Sequence, residues 1–143
     1  MVEFFDIENA FEFVSSDQPF MNSAILNKNT GKIYYRSEFS GVDEFPENYN
    51  IEEFIDIPHK NDLNLGRNLV FDFVSKYAPN SLDEVASFFY RKGAYSRYKN
   101  LLESIGLLKK WYDFENESMV FALKEWCKEN NIEFIAPNNK SLS

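Results

Sequence analysis

The chain has 143 residues, is 44% hydrophobic and 17% aromatic, and carries a formal charge of −8. That length favours a single domain over residues 1–143, able to bury about two-thirds of its unfolded surface without a disulfide or metal staple. Fifteen Phe against five Gly and five Pro exclude a low-complexity or disordered chain, and an acidic balance works against nucleic acid and anionic membranes.

The opening Met1-Val2-Glu3-Phe4-Phe5-Asp6 lacks the basic start and long apolar core of a signal peptide. No apolar run approaches the roughly 20 residues that span a bilayer. One cysteine, Cys127, cannot form an internal disulfide. Together these predict a cytoplasmic protein with no membrane association, in which the sequons at Asn116 and Asn139 are accidental.

Phe4, Ile7, Ala10, Phe11 and Val14 fall at helical spacing and predict an amphipathic helix over about residues 6–15, with Asp6 as N-cap. Phe5 and Phe13 lie off that stripe and predict a second covered neighbour. Two β-prone runs, 20–26 and 32–36, flank Asn27-Lys28-Asn29-Thr30-Gly31 and predict a hairpin. Residues 38–53 hold six acids and no base, and Gly41 and Pro46 mark them as loop. Phe54-Ile55-Asp56-Ile57-Pro58 reads as a third strand.

The rest is helical. Leu65, Leu69, Phe73 and Tyr77 stripe one helix over about 63–77, and Ser81 caps another carrying Leu82, Val85, Ala86 and Phe89. A third is lined by Ala94, Tyr95, Tyr98, Leu101, Leu102 and Ile105 and ends at Gly106. The last runs from about Leu107 to Asn130, with Tyr112, Met119, Leu123, Trp126 and Cys127 on one face and Phe114 and Phe121 on the other. A helix apolar on two sides is buried between layers or by a partner. Ile132–Ile135 reads as a late strand or docked tail, and the end as frayed. Strands before helices predict an α+β fold: a small antiparallel sheet, hairpin plus third strand, packed against the N-terminal helix and about four C-terminal helices. Within it, an α/β-hairpin part covers about 4–58 and a helical part about 63–131.

One His (His59) and one Cys exclude a Cys/His zinc site. There is no phosphate-binding Gly loop, dinucleotide fingerprint or Gly-x-Ser-x-Gly elbow. Asp113 and Glu117 share a helix face, which as the plainer reading is solvated. The sequence nominates no catalytic residue, no metal ligand and no cofactor. An enzyme with a carboxylate-lined site stays open as an alternative.

The feature that stands out is charge. Residues 91–110 hold Arg91, Lys92, Arg97, Lys99, Lys109 and Lys110 against Glu103 alone, a net +5 that leaves −13 on the rest. Tyr90, Tyr95, Tyr98, Trp111 and Tyr112 interleave. The plainest reading has these cations solvated or paired with the acidic loop. A second makes them a docking surface for an acidic protein partner or a second copy, since Tyr, Trp and Arg concentrate at interface hot spots. A third takes single-stranded nucleic acid or a nucleotide through stacking and phosphate contacts, against the net charge. The candidate binding residues are Arg91, Lys92, Tyr95, Arg97, Lys99, Trp111 and Tyr112.

The segment Arg91-Lys92-Gly93-Ala94-Tyr95-Ser96-Arg97-Tyr98-Lys99 resembles the "GRGAFRRFK" stretch of the bacterial family UPF0158. Trp111-Tyr112-Asp113-Phe114, then Ala122–Trp126 and Asn131-Ile132, are similar to that family's tail, and the hairpin 26–33 and Phe54–Pro58 to its opening. The resemblance covers about residues 7–133. Lys92 stands where the family has Arg, Asn131 where it has Gly, and Cys127 where it has an aliphatic residue. The resemblance implies a bacterial cytoplasmic protein and assigns no activity. The reading reached here is a non-catalytic binding or regulatory domain.

Overall fold

The computed structural model describes residues 1–136. The expected frayed end and the sequon at Asn139 lie outside the described residues. The fold is α+β, and the described residues form two compact units: 1–63 with 121–136, and Asn64–Val120.

The first unit opens on a two-residue strand β1 (Val2–Glu3) that runs directly into α1 (Phe4–Ser15). The stripe Phe4, Ile7, Ala10, Phe11, Val14 is buried, as the spacing predicts. The cap differs. Glu3 occupies the N-cap without a side-chain hydrogen bond, and Asp6 lies in the first turn, where its charge favours the helix dipole. The helix starts early because Phe4 belongs to its buried stripe. Phe13 packs edge-on against Tyr35 at 5.0 Å, whereas Phe5 stays 63% exposed.

β2 (Asn22–Asn27) is the central strand of an antiparallel sheet in the order β3-β2-β4, with β3 (Ile33–Ser37) and β4 (Phe54–Asp56) at its sides. The register places Ile25 opposite Tyr34 and Asp56, and Leu26 opposite Ile33 and Ile55. At the hairpin turn Asn27 Oδ1 accepts the amides of Asn29 and Thr30 at 2.8 and 3.1 Å. Gly31 is required twice over: its φ is +78°, and a Cβ there would stand 3.1 Å from the Met1 carbonyl. The third strand ends at Asp56 rather than Pro58, and Ile57 N–H still bonds to the Ala24 carbonyl at 2.9 Å.

The acidic loop is more than a polar connection. Tyr49 packs on Phe54 at 5.0 Å and on Phe45 at 6.2 Å, and Tyr34 lies 5.9 Å from Phe54. Tyr34, Ile25 and Phe54 alternate onto one sheet face, and this row of rings helps to leave Ile25 only 2% exposed.

The second unit contains α2 (Arg67–Tyr77), α3 (Leu82–Phe88), α4 (Ala94–Ser104) and the first part of α5 (Leu108–Glu129). α2 begins at Arg67, later than expected, because residues 60–63 form a 3-10 turn and Asn64 takes a positive φ of 58°. Ser81 occupies the N-cap of α3 without the expected side-chain bond. Leu69, Val70, Phe73, Val74, Val85, Tyr98, Leu102 and Trp111 form the core. Its centre is aromatic: Phe73 meets Trp111 at 5.4 Å, and Tyr98 meets Trp111 at 5.1 Å, both edge-on.

α5 serves both cores, and its buried side changes along its length. In the second unit it buries Trp111 and half-buries Phe114; in the first it buries Leu123, Trp126 and Cys127. Each unit has its own buried stripe, so a single period drawn over the whole helix misplaces residues. Tyr112, expected on the buried face, is therefore 45% exposed, and Phe121 is 67% exposed. α5 ends with Asn131 at φ 56° and the Ile132 amide on the Cys127 carbonyl at 2.8 Å, a cap that Asn satisfies in place of Gly. β5 (Phe134–Ile135) then pairs in parallel with β1. Of the two readings for Ile132–Ile135, late strand or docked tail, the strand holds at Phe134–Ile135; its two-residue partner at the N-terminus was not legible.

Candidate functional site

Of the seven nominated residues, the α3–α4 turn holds the most accessible. Tyr90 is 89% exposed, and Arg91, Lys92 and Arg97 are exposed beside it. Gly93 makes the turn with φ +79°, a left-handed conformation that side chains disfavour. The Arg97 guanidinium folds back over it and donates to the Lys92 carbonyl, a charge-assisted bond that fixes the turn. Among the described residues, Arg91, Lys92 and Arg97 form no ion pair.

The aromatic members divide. Tyr95 is half-buried and packs edge-on against Phe89 at 5.4 Å; Arg67 lies over the other partner ring, 5.0 Å from the Phe89 centroid. Burial raises the Tyr95 hydroxyl, opposed by Arg67 and assisted by Glu115. Tyr112 is exposed with the Lys99 ammonium 5.7 Å from its ring. Trp111 is only 1% exposed and belongs to the core. It is not a surface group, because its helical position faces Phe73 and Tyr98. Lys110 caps the Tyr77 ring at 4.3 Å, and Lys109 pairs with Asp113 at 3.1 Å. The basic segment is thus two things: an exposed turn at 90–93, closed by Arg97, and cations at 99–110 already engaged by rings or a carboxylate. Tyr90 and Gly93 complete the turn, and the sequence signal for both was their adjacency to Arg91 and Lys92.

The remaining chemistry is structural. His59 is buried; its Nε2 lies 2.7 Å from the Asp17 carbonyl and its Nδ1 3.0 Å from the Asn61 amide. With Nε2 protonated, both ring nitrogens are engaged, so His59 clamps its loop and has no free nitrogen for a substrate. Cys127 is fully buried, and burial pushes its thiol up to about 11, which keeps it a packing group at neutral pH. Asp113, one half of the carboxylate pair considered above, is held by Lys109. Among the described residues no group of three or more His, Cys, Asp or Glu is placed to hold a metal ion, and no helix is long and apolar enough to cross a membrane.

No family model, curated protein or solved structure matches this chain.

Proposed function

We propose that this chain is a non-catalytic binding module whose α3–α4 turn takes an acidic segment of a protein partner. The observation that carries this reading is the pairing of Arg91 and Lys92, exposed and without ion-pair partners among the described residues, with the 89% exposed ring of Tyr90. A turn already ordered by the Arg97 bond to the Lys92 carbonyl loses little entropy on binding. An acidic peptide gains charge-assisted bonds to the two cations and apolar contact with the ring. Nucleic acid offers similar chemistry, but a chain at −8 opposes the approach of a polyanion. A cytoplasmic setting fits the single buried cysteine. Membership of UPF0158, which the α3–α4 sequence resembles, would add no activity to this reading.

A fluorescent poly-glutamate peptide tests it by anisotropy at low salt. The native chain binds, and Arg91→Glu with Lys92→Glu weakens binding about tenfold or more while helix content is unchanged. Equal binding by the variant overturns the reading. Tighter binding to a single-stranded oligonucleotide than to the peptide replaces it with the nucleic-acid alternative.

A further inference from the structure

Two helices of the first unit carry the same pattern with opposite charge. On α1, Phe5, Glu8 and Glu12 follow at i, i+3 and i+7; on the C-terminal part of α5, Phe121, Lys124 and Lys128 follow at the same spacing. These intervals bring each trio onto one helix face. Phe5 is 63% exposed and Phe121 67% exposed, although both are large apolar side chains. Glu12, Lys124 and Lys128 are also exposed, and Glu8 is half-buried. The two faces are neighbours: Lys124 Nζ lies 5.8 Å from the Phe4 ring, and the Glu8 carboxyl, raised by burial and by Glu12, is lowered by Lys124. Among the described residues none of these four charged groups forms an ion pair.

From this arrangement we propose that a second copy of this chain docks on the surface shared by α1 and the C-terminal part of α5. With α1 of one copy beside α5 of the other, running in the same direction, the matched spacing brings Phe5 onto Phe121 of the second copy. The same register brings Glu8 to its Lys124 and Glu12 to its Lys128. A two-fold axis repeats the whole set, which is the self-complementarity that an isologous dimer requires. The occupant follows from charge. The six residues are neutral in sum, and Glu125, half-buried on the same face of α5, falls opposite the uncharged Asn9 in this register, so no like charges stand directly opposite each other. A partner of one charge sign would leave half of the patch unpaired. The two phenylalanines supply the apolar centre. None of these residues belongs to the α3–α4 turn, so the two proposals stand or fall separately.

Sedimentation of the full chain over a wide concentration range tests the dimer. The native chain passes from monomer to dimer with rising concentration, and Phe121→Ser or Phe5→Ser moves the midpoint upward about tenfold or more. Glu12→Lys alone and Lys128→Glu alone each weaken association; the double variant Glu12→Lys with Lys128→Glu recovers most of the loss, as directly coupled positions do. Circular dichroism of each variant checks the fold, and the charge-reversal set decides the question if a Phe variant unfolds. A chain that stays monomeric up to millimolar concentration, or a dimer indifferent to all of these changes, overturns the proposal.

Discussion

In the sheet-bearing unit, Arg36 lies 3.9 Å over the Phe45 ring and pairs with Asp43 at 3.1 Å, so the same cation closes both an aromatic and an electrostatic contact. In the helical unit, Arg91 and Lys92 do neither among the described residues, while the core beneath leaves the Tyr98 hydroxyl and the Trp111 indole N–H without hydrogen-bond partners. The first unit engages this loop cation locally, although Asn22 Oδ1 is buried there without a partner. The second concentrates its imbalance: unpaired charge at one turn, and unpartnered donors among its rings. The contrast teaches that net charge alone does not locate a binding surface. The first unit carries the acidic loop, and that loop engages Arg36, while Lys124 and Lys128 of the same unit form no ion pair among the described residues; Arg91 and Lys92 of the second unit stand in that same state at one turn.

The sharpest way to break that contrast is through the aromatic centre. Trp111 touches Phe73 and Tyr98 within 5.4 Å and is buried to 1% exposure. Trp111→Ala should cost about 3–5 kcal/mol in chemical denaturation, as deletion of a large buried ring does. A loss below about 1 kcal/mol would show that this core is not what holds α2, α4 and α5 together.

A smaller effect of opposite sign concerns Tyr98. Its hydroxyl is buried without a partner, and a buried unpaired polar group is costly. Tyr98→Phe should therefore stabilise the chain by about 1 kcal/mol near neutral pH. The pH dependence has a definite sign. Burial, then Glu115 and Tyr95, raise the folded-state value of this hydroxyl above the usual 10. Stability from a raised group is intact below its unfolded value and falls as pH climbs above it, because the unfolded chain loses its proton first. The native chain should weaken as pH rises beyond about 10, and Tyr98→Phe should flatten that loss. Denaturation curves at stepped alkaline pH check both points; parallel losses in the two proteins would remove Tyr98 from the account.

How far these features were legible in the sequence follows from the range of the forces that made them. The α1 stripe and the Asn27–Gly31 turn were readable because helical periodicity and turn chemistry are local. β1 was not, since a two-residue strand exists only through its parallel pairing with residues more than a hundred positions away. A single helical period puts Tyr112 on the buried face of α5, whereas each part of that helix packs in its own unit and Tyr112 is exposed. At the candidate site, charge counting found Arg91, Lys92 and Arg97, but composition cannot distinguish a ring that faces solvent from one that faces a core, so Trp111 was grouped with them. The covering role of Phe45 and Tyr49 was hidden by the six acids around them, although both rings stand plainly in the sequence.

The smallest effect tests the closed side of the comparison. Arg36 and Asp43 both keep substantial solvent exposure, with side chains 41% and 56% accessible, so their ion pair is screened and contributes at most about 1 kcal/mol. Stacking on Phe45 adds a contribution that salt affects less, because it depends on ring contact as well as charge. Arg36→Gln removes both, whereas Asp43→Asn removes the pair and keeps the stack. Thermal melts at low and high salt separate the two. Asp43→Asn should lose its effect at high salt, while Arg36→Gln should retain part of its own. If high salt erases both equally, the ring contact contributes nothing, and Arg36 becomes a surface cation of the same kind as Arg91, differing only in having found a carboxylate.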